Sequence, residues 1–314
     1  MAQRVRGFVM LAVLWVMVGV DAIGLGLALM ARRAADAAHN RRAETIAQWL
    51  AEGCASRAEA AIGKALTHRD DNSASAADVA RVAWARLDAA VAAFPDLSGA
   101  PCALTIRPTG ITIDINTADG SLFTRLFEAL GNPPAVADSL ADALLDWRDG
   151  DDVPRQSGAE AAWYLARGRI PPRNASFGDM RELTRVRGFE ALVGLDSVLG
   201  IDPDRVVLDR APLAVVAALP GFTVEAVSHI ADHRARGAPV PDLLSLGAEL
   251  SPAGRSALLA DYQNLVRLTT SEPDAWLITA RAVAGAPPVT FVLELRLVRA
   301  GDRAAVVRRR TWIQ

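Results

Sequence analysis

The chain begins with a long apolar run. Between Phe8 and Met30 the only formally charged residue is Asp21. At ~1.5 Å per residue a helix of this length spans roughly 34 Å, enough to cross the hydrocarbon core of a membrane. An ordinary secretory signal has a shorter apolar region, of about 7 to 15 residues, followed by a small-residue cleavage site. The pattern therefore predicts a membrane-spanning helix that is kept rather than a signal peptide that is removed.

The helical pattern continues beyond the apolar run. Apolar or small residues recur every four positions, with arginine and glutamate elsewhere, and so form one stripe. The stripe consists of Ile46, Leu50, Cys54, Ala58, Ile62 and Leu66. We predict one helix from Phe8 to near Leu66, whose second half packs on a soluble domain. Arginines flank the apolar run on both sides, so charge alone leaves the membrane orientation open.

The remaining periodicity predicts an α+β fold. Residues 76–94 form a second helix after a polar turn that supplies an N-cap. "CALTIRP" and "ITIDI" alternate on both sides of a Thr-Gly step, which predicts a β-hairpin. Residues 117–263 are mostly helical, and "LVRLTT", "AWLITARAV", "VTFVLELRLV" and "AAVVRRRTWI" return to a strand pattern. We expect a long helix on a small antiparallel sheet, with a large helical insert between the strands.

Two cysteines allow one disulfide bridge. Cys54 lies on the apolar stripe of the long helix, and Cys102 opens the first strand that should pack on it. A bridge between helix and sheet is geometrically sensible in an oxidising compartment. Two small buried thiols remain the alternative.

Composition and residue spacing argue against several functions. The formal net charge of −2 gives no support to nucleic-acid binding. The four histidines are scattered, and the pair His229 and His233 lacks an HExxH context. No catalytic triad, Cys/His pair or zinc spacing is present. We therefore predict that the chain is not an enzyme and needs no organic cofactor.

One segment concentrates carboxylates. "DWRDGDDVPRQSGAE" contains Asp146, Asp149, Asp151, Asp152 and Glu160. Clustered hard oxygen ligands on a loop with Gly and Pro suit Ca²⁺, although the spacing is not that of an EF-hand. Carboxylates this close also repel one another without a cation. The alternative is a solvated acidic loop that Arg148 and Arg155 partly neutralise.

The N-terminus carries the basic segment "RVRGF" directly before the apolar run. This arrangement resembles the leader of type IV prepilins and implies cleavage by a prepilin peptidase between Gly7 and Phe8, followed by N-methylation of Phe8. Most pilins and pseudopilins carry Glu at the fifth mature position, which here is Ala12. The K-type minor pseudopilin of type II secretion characteristically lacks this glutamate.

Three further stretches resemble the K-type minor pseudopilins, also called general secretion pathway protein K. "ITIDINTADGSLFTRLFEALG" (111–131) resembles a strand-into-helix segment of that family. Residues 140–189 resemble its long central motif nearly position by position. K-type pseudopilins are understood to bind calcium in this region, so the resemblance implies a Ca²⁺ site here. Residues 206–223 resemble a second unit, with Asp209 and Arg210 where Asn and Thr are usual. The chain is identified as a member of this family on these motifs.

The resemblance implies an organisation and a role. The expected segments are a leader (1–7), a transmembrane half-helix (8–30), a pilin-like helix with the first strands (31–116), a first helical insert (117–204), a helix–hairpin–helix-like unit (205–263) and C-terminal strands (264–314). The implied role is to initiate or cap the tip of a periplasmic pseudopilus and to support export of folded proteins across the outer membrane. The implied partners are I-type and J-type minor pseudopilins, the major pseudopilin filament and prepilin peptidase. The implied location is the bacterial inner membrane, single-pass, with a periplasmic C-terminal domain.

The alternative is a membrane-anchored DNA-binding protein of the competence type, because 217–237 resembles a helix–hairpin–helix. Between Asp204 and Asp261, however, five arginines face seven acidic residues, the wrong balance for phosphate binding. We therefore expect a packing hairpin and no nucleic-acid partner. A separate hypothesis concerns Asp21: a carboxylate at mid-membrane costs about 2.5 kcal/mol or more, so it should pair with a polar group of a displaced neighbouring subunit.

Overall fold

A long helix organises the computed structural model, which describes residues 2–68, 75–92, 102–190, 192–201 and 204–314. Helix α1 runs from Ala2 to Thr67. It begins six residues before the predicted start at Phe8, so Gly7 and Phe8 lie within it, although their side chains are outside the described part. Its apolar half has the length and composition of a membrane span, with a mean hydropathy of 2.1, and none of that window is buried by the protein.

The second half of α1 presents a face of alanines to the rest of the protein. The buried positions are Ala43, Ala47, Ala51, Cys54, Ala55, Ala58, Ala61, Ile62, Ala65 and Leu66. Small side chains let the neighbouring strands come close to the helix backbone. The predicted stripe was wrong at its start, because Ile46 is 43% exposed and Leu50 only half-buried. Its other four members, Cys54, Ala58, Ile62 and Leu66, are buried as predicted, and further alanines complete the packing face.

An antiparallel sheet covers this face of α1. Its strands are β1 (Ala103–Pro108), β6 (Ala275–Ala284), β7 (Val289–Ala300) and β8 (Arg303–Ile313), in the order β1-β6-β7-β8. Alternate side chains, including Trp276, Ile278 and Leu295, share one hydrophobic core with α1. The predicted α+β fold with a long helix on a small antiparallel sheet is confirmed.

The predicted hairpin after β1 was wrong. Strand β2 (Ile113–Asp114) pairs in parallel with β3 (Leu199–Gly200), while β1 pairs with β6. The Thr-Gly step is the crossing point: Gly110 has φ +74°, and a Cβ there would lie 2.0 Å from the carbonyl oxygen of Arg205. The glycine therefore lets the chain leave the sheet at a close approach to another backbone, rather than turn back on itself.

The insert between β1 and β6 is mostly helical and has one hydrophobic core. Its first part contains α4 (Gly120–Ala129), α5 (Pro134–Arg148), α6 (Ala161–Leu165) and 3₁₀ helices at Met180–Arg185 and Leu195–Ser197. Its second part contains β4 (Val206–Val207), α7 (Leu213–Ala218), α8 (Val224–Ala235), α9 (Leu243–Glu249), α10 (Pro252–Ala260), α11 (Tyr262–Leu268) and β5 (Thr269–Thr270). Ion pairs Arg296–Asp204 and Arg210–Asp88 tie the second part to the sheet and to α3 (Leu87–Ala92).

Two other predicted elements changed. The helix over 76–94 is divided into α2 (Ala76–Ala85) and α3 at Arg86, and its end lies outside the described residues. Ser75 supplies the expected N-cap, since its hydroxyl accepts from the backbone N–H of Asp78. "LVRL" belongs to α11, and only the two threonines that follow form a strand. A short apolar run is compatible with both a helix and a strand, so the spacing of its apolar residues could not distinguish the two.

A disulfide links α1 to the start of the sheet. Cys54 and Cys102 are bonded, with a Cα–Cα distance of 6.6 Å and a sequence separation of 48. Cys54 is 2% exposed, so the bond is anchored in the core between helix and strands. Since most of the buried side chains of α1 are small, the bridge helps to fix its register on the sheet.

Loss of the bridge should destabilise the domain. For a loop of this length the unfolded chain gains conformational freedom worth about 4 kcal/mol. We expect the Cys54→Ser, Cys102→Ser double variant of the full chain in detergent to melt well below the wild type in circular dichroism. Reductant should lower the melting temperature of the wild type and leave the double variant unchanged. Equal melting of both proteins without reductant would show that the bridge contributes nothing.

Candidate functional site

Three of the five clustered carboxylates converge. Asp146 lies in the last turn of α5, Asp149 caps its C-terminus, and Glu160 precedes α6. One oxygen from each lies within 4.8 Å of the others, so the group could hold a metal ion. The two helices thus deliver carboxylates from either end of the connecting loop to one point.

Glu160 is the most unusual member of this triad. It is 4% exposed, and within the described part of the chain both carboxylate oxygens lack a hydrogen-bond partner, as does Oδ1 of Asp149. Burial, followed by the negative charges of Asp146 and Asp149, raises the pKa of Glu160 to about 7. A buried carboxylate without a partner is costly, and a hard cation would satisfy it. These residues therefore fit a Ca²⁺ ion.

Arg155 already neutralises part of the triad. Its Nη1 lies 2.7 Å from Oδ1 of Asp146 and also pairs with Asp149, and its backbone N–H donates to Asp146. Burial still raises the pKa of Asp146, against the lowering effect of these hydrogen bonds. With all groups ionised, three carboxylates and one guanidinium leave two negative charges. A divalent cation would therefore neutralise the site with Arg155 in place.

The other predicted site residues lie apart from the triad. Asp151 and Asp152 are exposed; they accept hydrogen bonds from the Val153 backbone and the Asn174 side chain, respectively. Their charges add to those that raise the pKa of Glu160. Arg148, the other predicted neutraliser, instead donates to the carbonyl oxygens of Ile115 and Ala118.

Sequence reasoning missed Gly158. A Cβ at this position would lie 1.9 Å from Oδ2 of Asp146, so the loop can close over the carboxylate only with glycine there. The glycine is visible in the sequence as part of "SGAE", but nothing in the sequence indicates that it lies against Asp146. Arg187 then holds the same segment from outside, since its Nη1 donates to the Gly158 carbonyl oxygen at 2.7 Å.

The predicted assembly residues lie on the membrane half of α1. Ala12 and Asp21 are both exposed. Beyond the membrane half, α1 also exposes Ile46 and Trp49, three positions apart, with Trp49 70% exposed. A Cβ at Gly53, four positions further, would meet nothing within 4 Å. This side of α1 is therefore open to another helix.

The helix–hairpin–helix-like segment packs internally. Gly221, between α7 and α8, has φ +72°, and a Cβ there would lie 2.8 Å from the carbonyl oxygen of Ala257 in α10. Arg234 of α8 also makes an internal contact, because its guanidinium donates to the Leu208 carbonyl oxygen. The backbone that would hold a DNA phosphate thus lies against protein, which agrees with the packing hairpin expected from the charge balance.

Comparison with known proteins identifies the relatives of this chain. Residues 108–194 match the family described as "Type II secretion system (T2SS), protein K". Type II secretion system protein K from Dickeya chrysanthemi is 37% identical over 70 residues, which are 22% of this chain and 19% of that protein. The match thus spans about a fifth of the length of this curated relative.

Structural comparison extends the likeness to most of the chain. A chain in the crystal structure of the GspK-GspI-GspJ complex from the enterotoxigenic Escherichia coli type 2 secretion system superposes with a TM-score of 0.56 and 16% identity. The alignment covers 87% of this chain and 98% of that chain. At this identity the superposition establishes the fold. Together the three comparisons confirm the resemblance inferred from the motifs.

The raised pKa of Glu160 predicts a pH dependence of stability. The folded-state pKa of about 7 exceeds the ordinary value of 4.5, so the stability due to this group is present below pH 4.5 and is lost as the pH rises through 7. With divalent cations chelated, Glu160→Gln should therefore melt a few degrees above the wild type at about pH 8 and with it at about pH 4. The control Asp196→Asn, an exposed carboxylate elsewhere in the insert, should follow the wild type. A constant difference between Glu160→Gln and wild type at every pH would contradict the shift.

Proposed function

We propose that this relative of the K-type minor pseudopilins of type II secretion initiates or caps the tip of a periplasmic pseudopilus and thereby supports export of folded proteins. The observation that carries the proposal is α1, which joins an exposed apolar half to a half packed on an antiparallel sheet. Such a helix anchors the subunit and places its domain at a fixed distance from the membrane. The proposed role is structural rather than catalytic.

Two features of this chain would suit a subunit at the tip of a filament: one lies in the membrane half of α1, and the other is the insert. Ala12 supplies no carboxylate at the position where most pilins carry glutamate, so the subunit would make no such charge pair with a neighbour. The insert between β1 and β6 adds a second hydrophobic core beside the sheet. Its bulk would prevent another subunit from stacking above, which suits the end of a filament and not its interior. Asp21 would meet a polar group of a subunit displaced along the filament.

The proposed partners are an I-type and a J-type minor pseudopilin, the major pseudopilin filament and prepilin peptidase. The similar crystal structure is that of a complex of GspK with GspI and GspJ, which supports the first two. Ile46 and Trp49 lie on the open side of α1 just beyond the membrane half, where a second helix emerging from the same bilayer would run alongside. Exposed tryptophan is a frequent centre of binding energy in interfaces.

We further propose an inner-membrane location, single-pass, with the C-terminal domain in the periplasm. A disulfide is compatible with the periplasm, where thiols are oxidised. The sheet and insert together then face the compartment in which a pseudopilus grows.

A single purification tests the assembly role. The full chain is co-expressed with prepilin peptidase and with I-type and J-type minor pseudopilins, then recovered in detergent for intact-mass analysis. We expect a mature chain that begins at Phe8, carries one added methyl group of about 14 Da, and brings both partners with it. Trp49→Ala should reduce partner recovery severalfold through lost apolar contact. Val82→Ala, an exposed apolar residue on α2, is the matched control.

Either of two results would oppose this role. An uncut chain starting at Met1 or Ala2 would reduce α1 to an anchor. A processed chain that recovers neither partner would contradict the proposed complex with the I-type and J-type pseudopilins. Only the leader sequence would then support the assembly role.

We also propose that Asp146, Asp149 and Glu160 hold a structural Ca²⁺ ion. The ion would supply the positive charge that the two unpartnered oxygens of Glu160 lack and would join the end of α5 to the start of α6. Asp146 is oriented by Arg155, and Gly158 leaves room for its carboxylate. The connecting loop would then be fixed at both ends.

Calcium should therefore stabilise the wild type in thermal unfolding. We expect millimolar CaCl₂ to raise the melting temperature by several degrees relative to chelator, because binding stabilises only the folded state. Glu160→Gln should abolish most of this shift, whereas Asp196→Asn should keep it. Equal shifts in the wild type and in Glu160→Gln would place the bound ion elsewhere.

A further inference from the structure

Trp163 lies at the centre of a cluster of arginines. The guanidinium carbons of Arg167, Arg187 and Arg169 lie 4.2, 5.3 and 5.6 Å from the centre of its indole ring. The indole is half-buried and packs edge-on against Tyr164, with ring centres 5.0 Å apart. We call Trp163 with these three arginines the arginine–tryptophan patch. Each cation gains from the face of the ring, but three like charges around one ring also repel.

Backbone carbonyl groups hold these arginines in position. Arg167 donates to the carbonyl oxygen of Trp163 at 3.1 Å, and Arg187 donates to that of Gly158 at 2.7 Å. Arg169 donates to the carbonyl oxygen of Arg185 at 2.8 Å. Carbonyl groups orient a guanidinium without cancelling its charge. The patch is therefore preorganised, which lowers the entropy cost of binding a partner.

The positive charge of the patch is largely uncompensated. Arg169 pairs with Glu190. Arg167 and Arg187 have no carboxylate partner among the residues that the structure describes. Other arginines of the insert are of two kinds: Arg155 and Arg205 pair with aspartates, whereas Arg148 and Arg234 are half-buried donors to carbonyl oxygens and do not surround an aromatic ring together. Three guanidinium groups and one carboxylate leave two positive charges beside an aromatic ring, although the whole chain is slightly acidic.

We propose that the arginine–tryptophan patch is a docking site for an acidic segment of a partner protein. Carboxylates would form charge-assisted hydrogen bonds with the free N–H groups of Arg167 and Arg187. Apolar side chains of the same segment would contact the indole and the exposed side chains of Leu165 (62%) and Ile170 (64%), which follow Trp163 in the sequence. Trp and Arg are the residues most often found at the energetic centre of interfaces.

A protein segment fits these observations better than an anionic membrane surface. Membrane-surface binding favours flexible basic side chains and aromatic rings that are free to insert. Here the indole is half-buried, and the guanidinium groups are fixed by carbonyl oxygens at particular points. Fixed donors favour a ligand with carboxylates at matching positions. The patch contains none of the triad's carboxylates, although its Arg187 bonds to Gly158, the residue beside Asp146. The inference needs neither the bound cation nor the assembly role proposed above.

Fluorescence anisotropy with a defined probe tests the docking site. The full chain in a nonionic detergent is titrated into a fluorescein-labelled peptide of alternating Glu and Leu residues at about 150 mM salt. We expect saturable binding, and a loss of about three- to tenfold in affinity for Arg167→Gln, the size of one charge-assisted contact. Arg167 is exposed, and among the described residues it contacts the ring and the carbonyl oxygen of Trp163 alone, so this variant should fold, which circular dichroism checks.

The matched control is Arg181→Gln. Arg181 is an exposed arginine of the same insert that has Asp179 beside it, with Nε 3.5 Å from Oδ1. Its loss should leave the peptide affinity unchanged, and a second peptide with Gln in place of Glu should bind much more weakly to the wild type.

Several outcomes would overturn the proposal. These are absence of binding, equal loss in the Arg167 and Arg181 variants, and equal affinity for the Glu and Gln peptides. Stronger binding to vesicles of phosphatidylglycerol than to the peptide, lost in Arg167→Gln, would assign the patch to a membrane surface instead.

Discussion

The alanine face of α1 packs directly against the antiparallel sheet, and the sheet in turn carries the insert. Ala47, Ala51 and Ala58 are fully buried there. The described apolar window of α1 is not buried by the protein, so this face holds the domain to its anchor together with the disulfide at Cys54 and the ion pair between Glu52 and Arg309. Small side chains allow the strands to lie close to the helix. The disulfide bridge opposes a shift of α1 along the sheet. The position of the insert follows, since its two ends enter the neighbouring strands β1 and β6.

The sequence predicted the long helix, the C-terminal strands and the α+β class, because these depend on periodicity, which is local. The partner of β1 could not be predicted in the same way. Alternation identifies a strand but not the strand it pairs with, and the partner lies beyond the whole insert. Ile46 was misassigned for a related reason: hydrophobicity suggested an inward position, whereas the close approach of the sheet requires alanine. Ile46 and Trp49 can be interpreted as a contact surface for another helix only once the structure shows that the alanines form the buried face.

The acidic site shows the same limit. Composition identified the five carboxylates, and resemblance connected their region with calcium. Which of them converge depends on the path of the loop between α5 and α6, which is set by Arg155 and by the room that Gly158 leaves for Asp146. Asp151 and Asp152 do not join the triad, but their negative charges help to raise the pKa of Glu160. Spacing along the chain could not separate these two groups, because adjacent residues on a loop point in different directions.

The loop between α5 and α6 also joins the two charged features of the insert. On its inner side Gly158 lies against the carboxylate of Asp146, and on its outer side its carbonyl oxygen accepts from Arg187. The same arginine contributes to the cluster around Trp163. A carboxylate and a guanidinium thus contact the same residue from its two sides. Any larger residue in place of Gly158 would therefore disturb the acidic triad and the orientation of Arg187 together.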